Sequence, residues 1–273
     1  MSDTAPAQIG RPLLLPAVSL ARRELVRFLR QRHRIVGALA TPIVFWLLIG
    51  AGMGRSFQNP SGSGTGNYLH YFYPGTVLMI LLFTAIFSTI SIIEDRKEGF
   101  LQSVLVAPVS PMVIVLGKVL GGTALAFGQG LLFLLLAPTV GIKLSASSVA
   151  VTMLVMLLVA FALTGLGFCI AWRMSSTQGF HAIMNLFLMP MWFLSGALFP
   201  ASGAMGGLGW IMRLNPLTYG LAALRRAMYW HDPSASTTMP PLWLSLGVTV
   251  AFAIAMFVLA SAIARKTTAG DLQ

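Results

Sequence analysis

Six stretches of this chain run for 20 residues or more without a single Asp, Glu, Lys or Arg: residues 35–54, 74–93, 119–142, 144–172, 174–212 and 233–264. A helix needs about 20 mostly apolar residues to cross the hydrocarbon core of a bilayer. In that medium every backbone N–H and C=O must find its partner inside the segment, so long uncharged runs read as helices. The fifth stretch, 39 residues long, is too much for one simple crossing, and we divide it into a helix over about 179–199 and a tail near the outer surface. The expected fold is an all-α integral membrane protein with six spans, at about 35–54, 74–93, 119–141, 148–171, 179–199 and 242–264. Charged residues make up only 9% of the chain, against about 25% in a soluble domain, which excludes an ordinary soluble fold.

Six crossings put both termini on one side, and the basic residues say which. With the termini inside, the inner segments carry thirteen Lys and Arg and the outer segments five. The positive-inside rule then predicts cytoplasmic termini and a multi-pass protein of the bacterial plasma or inner membrane. The net charge of +11 is accounted for by this topology and by anionic headgroups, so no nucleic-acid partner is expected. The single cysteine, Cys169, permits no disulfide or Cys-based metal site within one chain. The start does not resemble a cleavable signal peptide, since about 34 residues of net basic sequence precede the first apolar span and no small-residue cleavage site is evident.

The segments between the spans divide the chain further. Residues 1–15 are expected to be a disordered cytoplasmic tail and residues 16–34 an amphipathic interfacial helix. In that helix Val18, Ala21, Leu25, Phe28 and Leu29 share one face, with Arg23, Arg27, Arg30 and Arg34 opposite. The pattern suits a helix lying in the membrane plane with its arginines at the headgroups. Tyr68, His70, Tyr71 and Tyr73 read as an interfacial aromatic belt. Residues 200–232 are too Gly/Pro-broken to cross and too apolar for a free loop, so they are expected to form short re-entrant outer helices. Residues 266–273 form a cytoplasmic tail.

Catalytic patterns are missing from the sequence. There is no GxxxxGK[ST] phosphate loop: Gly117-Lys118 is followed by Val119. No HExxH occurs, and the four histidines (His33, His70, His181, His231) are scattered. We therefore assign no catalytic residues, no metal site and no cofactor to this chain. Within the spans the clearest polar side chains are Gln129 and Asn185, with His181 near the inner mouth. They read as interhelical glue or as part of a translocation path. Ion-coupled transporters and pumps use intramembrane acids and bases as relays, and none is evident mid-span. An energy source docking on the inner side is then expected; an ATPase-independent secondary transporter or channel is the reading of another class.

The inner side has one conspicuous feature. Glu94-Asp95-Arg96-Lys97-Glu98-Gly99 places five consecutive charges between two apolar runs, at the start of a cytoplasmic loop over 94–118. A helix beginning there puts Leu101, Val104 and Leu105 on one face and lets Glu94 pair with Lys97 across one turn. Pro108 and Pro111 stop it before the next span.

Three patches together resemble the permease subunits of type-2 ABC exporters, the family of daunorubicin-resistance and nodulation lipo-oligosaccharide exporter permeases. They are EDRKEGFLQSVLVAPVS (residues 94–110) with Leu116-Gly117-Lys118 after it, FLSGALFP (193–200) and NPLTYGLAALR (215–225). Phe100-Leu101 stands where that family often has Thr-Leu. The resemblance covers nearly the whole chain and implies a type-2 ABC transmembrane domain over residues 35–265. It implies two permease chains, a second copy or a paralogue, bound to two copies of a separate ATP-binding subunit that alone holds ATP and Mg. It further implies an ATPase-coupling helix, carried here by Glu94, Asp95, Arg96, Lys97, Glu98, Gly99, Leu101, Leu105 and Pro108, and an outer gate carried by Asn215, Pro216, Tyr219 and Arg225. The expected activity is export of an amphipathic drug or lipid-like compound, with a glycan or lipid-linked saccharide as the alternative cargo.

Overall fold

A computed structural model describes residues 14–30, 32–53, 68–100, 110–200, 207–231 and 239–270. Among these residues the chain is helical throughout, with no strand. The helices are α1 (Leu14–Arg30), α2 (Arg32–Met53), α3 (Tyr68–Ser88), α4 (Ile90–Lys97), α5 (Pro111–Leu134), α6 (Ala146–Ala171), α7 (Thr177–Trp192), α8 (Leu208–Leu214), α9 (Pro216–Met228) and α10 (Leu242–Gly270). Five segments are long and apolar enough to cross a membrane: Tyr68–Lys97, Pro111–Leu134, Ala146–Ala171, Thr177–Ala197 and Leu242–Lys266. The apolar part of α2, Leu39–Met53, is shorter.

α3 forms the centre. It packs on α2, α5 and α6, and most of its residues are buried. α10 rests on α6, α9 and α5 and leaves one long apolar side uncovered, including Ile254 and Val258. α1 lies chiefly along α5.

Boundaries follow local chemistry. α5 begins at Pro111, eight residues before the expected span. Ser110 is extended (φ −66°, ψ 143°) and Pro111 occupies the first helical position, where its missing N–H leaves no bond unmade. Pro111 therefore opens this helix rather than closing the preceding one. Ser145 and Ser176 cap α6 and α7 by accepting from the N–H groups of Ser148 and Gly179. α7 ends in a single wide π-helical turn, Phe193–Ala197, in which Gly196 adopts φ +88°. A side chain at that φ would strain the backbone, so glycine permits the break.

The far end of the bundle is tied by hydroxyls. Pro74 lies inside α3 and has no N–H to offer the His70 carbonyl four residues back. The Tyr229 hydroxyl donates to that carbonyl at 2.5 Å instead. Tyr68 and Tyr71 donate to the carbonyls of Leu198 and Gly196, at 2.9 and 3.2 Å, and Tyr73 donates to Phe133. Tyr68 and Tyr73 are fully buried. The expected aromatic belt is thus an internal set of clasps between α3, α5 and the end of α7, each phenol having found an acceptor inside the protein.

Candidate functional site

The charged segment lies at the opposite end of the bundle, and it turns inward. Asp95 is completely buried. Its carboxylate accepts from Arg23 through both guanidinium amines at 3.0 and 2.9 Å, from Arg27 at 2.7 Å, and from Lys118. Lys118, itself buried, also donates to Glu24 at 2.6 Å. Arg27 reaches on to Glu94 and Glu98, at 3.1 Å each. Three cations from α1 and α5 therefore meet four carboxylates of α1, α4 and the turn after it. A buried charge persists only when paired and hydrogen-bonded, and here each of the two most buried, Asp95 and Lys118, has at least two partners. Hydrogen bonding to Asp95 raises the Arg23 guanidinium further above its ordinary value, although burial opposes the shift.

Three sequence expectations change at this point. Arg23 and Arg27 pair with the cluster rather than with headgroups. Glu94 pairs with Arg27 and not with Lys97. Lys118, expected in the inner loop, lies within α5. The reason is shared: a carboxylate far away in sequence neutralises each cation, so none needs water.

α1 has three faces as a result. Val18 and Leu29 of the expected apolar stripe are exposed, together with Leu15 and Val26. The arginine face turns to Asp95. A third face, built around the buried Ala17 and Glu24, lies on α5. The approach is close because α5 offers glycine at 117 and 121: a Cβ on Gly117 would stand 2.7 Å from Leu20 Cβ, and one on Gly121 2.8 Å from Glu24 Cβ. Glycines four apart let two helix backbones approach in a membrane setting. That Gly-x-x-x-Gly spacing was the visible signal for α1 docking, and sequence reasoning did not use it.

The other charges of the segment behave differently. Arg96 donates to the carbonyls of Trp172 and Met174 at 2.5 and 3.2 Å and lies 5.6 Å from the Trp172 ring centroid, tying α4 to the end of α6. Lys97 is exposed, and Glu98 has 58% of its side chain in the open despite its bond to Arg27. Gly99 takes φ +75° in the turn that ends α4. Leu101, Leu105 and Pro108, with the helix expected there, lie outside the described residues.

At the far end, Asn215 joins α8 to α9. Its side-chain oxygen accepts from Leu217 N–H at 3.0 Å, and its amide donates to the Met191 carbonyl at 2.6 Å. Pro216 is the first residue of α9, and Tyr219 donates to the Arg213 carbonyl at 2.9 Å. Arg225 is 2% exposed, donates to the Tyr71 carbonyl at 3.2 Å and lies over the Tyr71 ring at 4.2 Å. These four residues form one continuous tie among α3, α7, α8 and α9.

Gln129 and Asn185 part company. Gln129 is buried and accepts from Thr84, linking α5 to α3. Asn185 is exposed and lines a cavity of about 370 Å3 between α2, α3 and α7, where Thr41, Thr84 and His181 add polar atoms to a wall that includes Phe83, Phe87 and Met189. Beside it, α7 leaves Ile183, Leu186 and Phe187 exposed.

Comparison with known proteins identifies the assembly. The family described as "ABC-2 type transporter" matches residues 17–229, well over half of the chain. The chain belongs to the ABC-2 type transporter family. Its relatives include a putative transport permease, ycf38, of Cyanophora paradoxa, 27% identical over 76% of this chain and 71% of that protein. Nodulation protein J of Rhizobium meliloti (strain 1021) is 26% identical over 85% of this chain and 86% of its own length. A probable multidrug ABC transporter permease, YbhR, of Escherichia coli (strain K12) is 24% identical over 71% of this chain and 52% of that protein. The ABC-2 family match begins at residue 17, within α1, and ends at residue 229, just beyond α9 and the Asn215–Arg225 tie. This ABC-2 permease is therefore a multi-pass membrane transport subunit whose matched region holds both the ion cluster and the far-end tie.

Proposed function

We propose that this ABC-2 permease exports an amphipathic drug or lipid-like compound, driven by ATP hydrolysed on a separate subunit that docks against the charged segment. The observation that carries the reading is the division of labour within five consecutive charges. Asp95 and Glu94 are tied into α1 and α5, Arg96 into α6, and Lys97 and Glu98 stand out from the end of the bundle. A partner gripping Lys97 and the residues after it would pull on four helices at once. With that end cytoplasmic, as the basic residues imply, the N-terminus is inside and the Asn215–Arg225 tie closes the outer face as a re-entrant gate. Two copies meeting through the uncovered apolar side of α7 would place the cavity at Asn185 between them. Its aromatic and thioether wall, with few polar groups, suits a greasy, weakly polar cargo better than a polyhydroxylated sugar.

The test is purification of the complex with its ATP-binding subunit and measurement of ATP-dependent uptake into inverted vesicles. Lys97→Glu is expected to release the ATP-binding subunit while the permease keeps its thermal stability. Retention of that subunit and full transport in Lys97→Glu combined with Glu98→Lys would remove this docking surface from consideration. Asn185→Leu is expected to alter cargo preference with docking intact; if it leaves transport of every cargo unchanged, the cavity is not on the path.

A further inference from the structure

A second site lies on the other side of the charged end, away from the Asp95 cluster. A cavity of about 530 Å3 opens between the ends of α4, α6 and α10, walled by Arg96, Trp172, Arg173, Ile263 and Lys266. Three cations converge on it. Among the described residues none of them is paired with a carboxylate: Arg96 binds only main-chain carbonyls, and Arg173 and Lys266 are exposed. The ion pairs seen between described residues lie in the Asp95 cluster. Uncompensated positive charge around a concavity selects an anion.

The cavity does not end at its charges. Ala262 and Lys266 also line an adjoining cavity of about 440 Å3, whose wall runs along α10 from Arg265 past Ser261 to Phe257 and Val258, with Met112 of α5 completing it. Ser261 is 5% exposed, and its hydroxyl has no hydrogen-bond partner although it lies on this wall. A buried hydroxyl without a partner is uncommon and marks a place where a missing group would be welcome. Reading back from residue 266 to 257, about 14 Å at 1.5 Å per residue, α10 offers a cation, then a hydroxyl, then an apolar wall. A membrane phospholipid presents the matching order of groups: phosphate, ester carbonyl, acyl chain.

We propose that this paired cavity is a binding site for one anionic phospholipid, with its phosphate held by Arg96, Arg173 and Lys266 and its ester carbonyl accepting from Ser261. Basic pockets between transmembrane helices take anionic headgroups in this way. An acidic surface of a partner protein would satisfy the three cations but leave the slot at Phe257 and the Ser261 hydroxyl empty, so a lipid accounts for more of the site. The proposal does not depend on the cargo or on the docking role of Lys97.

The experiment uses the full-length permease, with any ATP-binding subunit that co-purifies, in phosphatidylcholine nanodiscs carrying a small fraction of phosphatidylglycerol. Native mass spectrometry counts lipids that survive collisional release. The wild type is expected to retain one phosphatidylglycerol per permease in preference to phosphatidylcholine. Arg173→Gln combined with Lys266→Gln is expected to weaken that retention by at least about tenfold, the order set by two membrane-proximal charges. Arg173→Lys with Lys266→Arg should keep it, as should Lys143→Gln at the far end. Ala262→Phe, which blocks the junction of the two cavities and leaves every charge in place, should also abolish it. Circular dichroism and monodispersity verify that each variant folds. Equal retention of the two lipids, or no loss in the Gln pair, overturns the proposal. So does an equal thermal shift with inorganic phosphate alone, which would make this a free-anion site. Loss of the ATP-binding subunit with lipid retention unchanged would assign the surface to a protein partner instead.

Discussion

Replacing Asp95 with Asn tests the ion cluster most directly, because it changes one buried atom's charge and almost no volume. In the native structure the carboxylate receives hydrogen bonds from Arg23, Arg27 and Lys118 and has no access to solvent. Removing one partner of a buried ion pair costs about 3–5 kcal/mol, since the other charge stays desolvated. Two of the three cations can recover some water, their side chains being 32% and 22% exposed, whereas Lys118 at 4% cannot. Lys118 keeps Glu24 at 2.6 Å, which places the loss near the lower bound, about 3 kcal/mol. The loss should appear as local opening of α1, because α1 supplies both arginines. Hydrogen exchange in nanodiscs reads such openings, and about 3 kcal/mol corresponds to roughly 100-fold faster exchange of the protected amides of Leu14–Arg30. The amides of α6 should not change. Adding Lys118→Met to Asp95→Asn should cost less than the sum of the two single changes. If α1 exchanges at the wild-type rate in Asp95→Asn, or if the two substitutions are additive, the cluster does not hold α1 and the argument fails.

Three further predictions concern other contacts. Gly117→Val puts a branched side chain where even a Cβ stands 2.7 Å from Leu20 Cβ; overpacking of about 1–3 kcal/mol should push α1 away and open Arg23 and Arg27, which the native ion cluster shields, to trypsin, with Gly128→Val as the harmless comparison because nothing lies within 4 Å there. Asn215→Ala removes a helix cap and the bond to the Met191 carbonyl, a loss of about 1–2 kcal/mol visible as a lower Tm in detergent, while Asn215→Asp keeps the cap and should lose less. Tyr229→Phe leaves the His70 carbonyl, freed by Pro74, without its hydroxyl donor, costing about 1–3 kcal/mol; Pro74→Ala should soften that loss, since the His70 carbonyl could then accept from the helix N–H.

The helices most legible in the sequence are those whose fate depends only on their own residues. α6, α7 and α10 follow unbroken apolar runs and begin within two residues of the expected starts, whereas α7 gives way to the π turn after Trp192 and α10 runs on to Gly270. α5 was displaced because a lysine normally marks the end of a span. Lys118 does not, since it is neutralised by residues 23 and 94 positions away in sequence, and no local pattern announces such pairing. The candidate site divides along the same line. The cluster at 94–98 stood out by composition, yet which of its charges are internal depends on α1 lying on Gly117 and Gly121. Without that contact Glu94 and Asp95 read as surface. Likewise, four aromatic or His positions near a loop resemble a belt until the carbonyls of residues 133, 196 and 198 are brought beside them.

The long sequence separations within the Asp95 cluster also set an order of events in the making of the protein. Arg23 must wait for a partner 72 residues later in the chain, and Glu24 for one 94 residues later. At about 5–20 residues per second of synthesis, that interval lasts roughly 5–20 s. Throughout it α1 exists without Asp95 and Lys118, and the only carboxylate within reach of its arginines along the chain is the adjacent Glu24. Only when α4 and then α5 are in place can the arginines and Lys118 close on Asp95. The cluster is thus a late bolt, closed after the helices it joins exist, and a substitution at Asp95 is expected to reach the mature protein without disturbing its insertion.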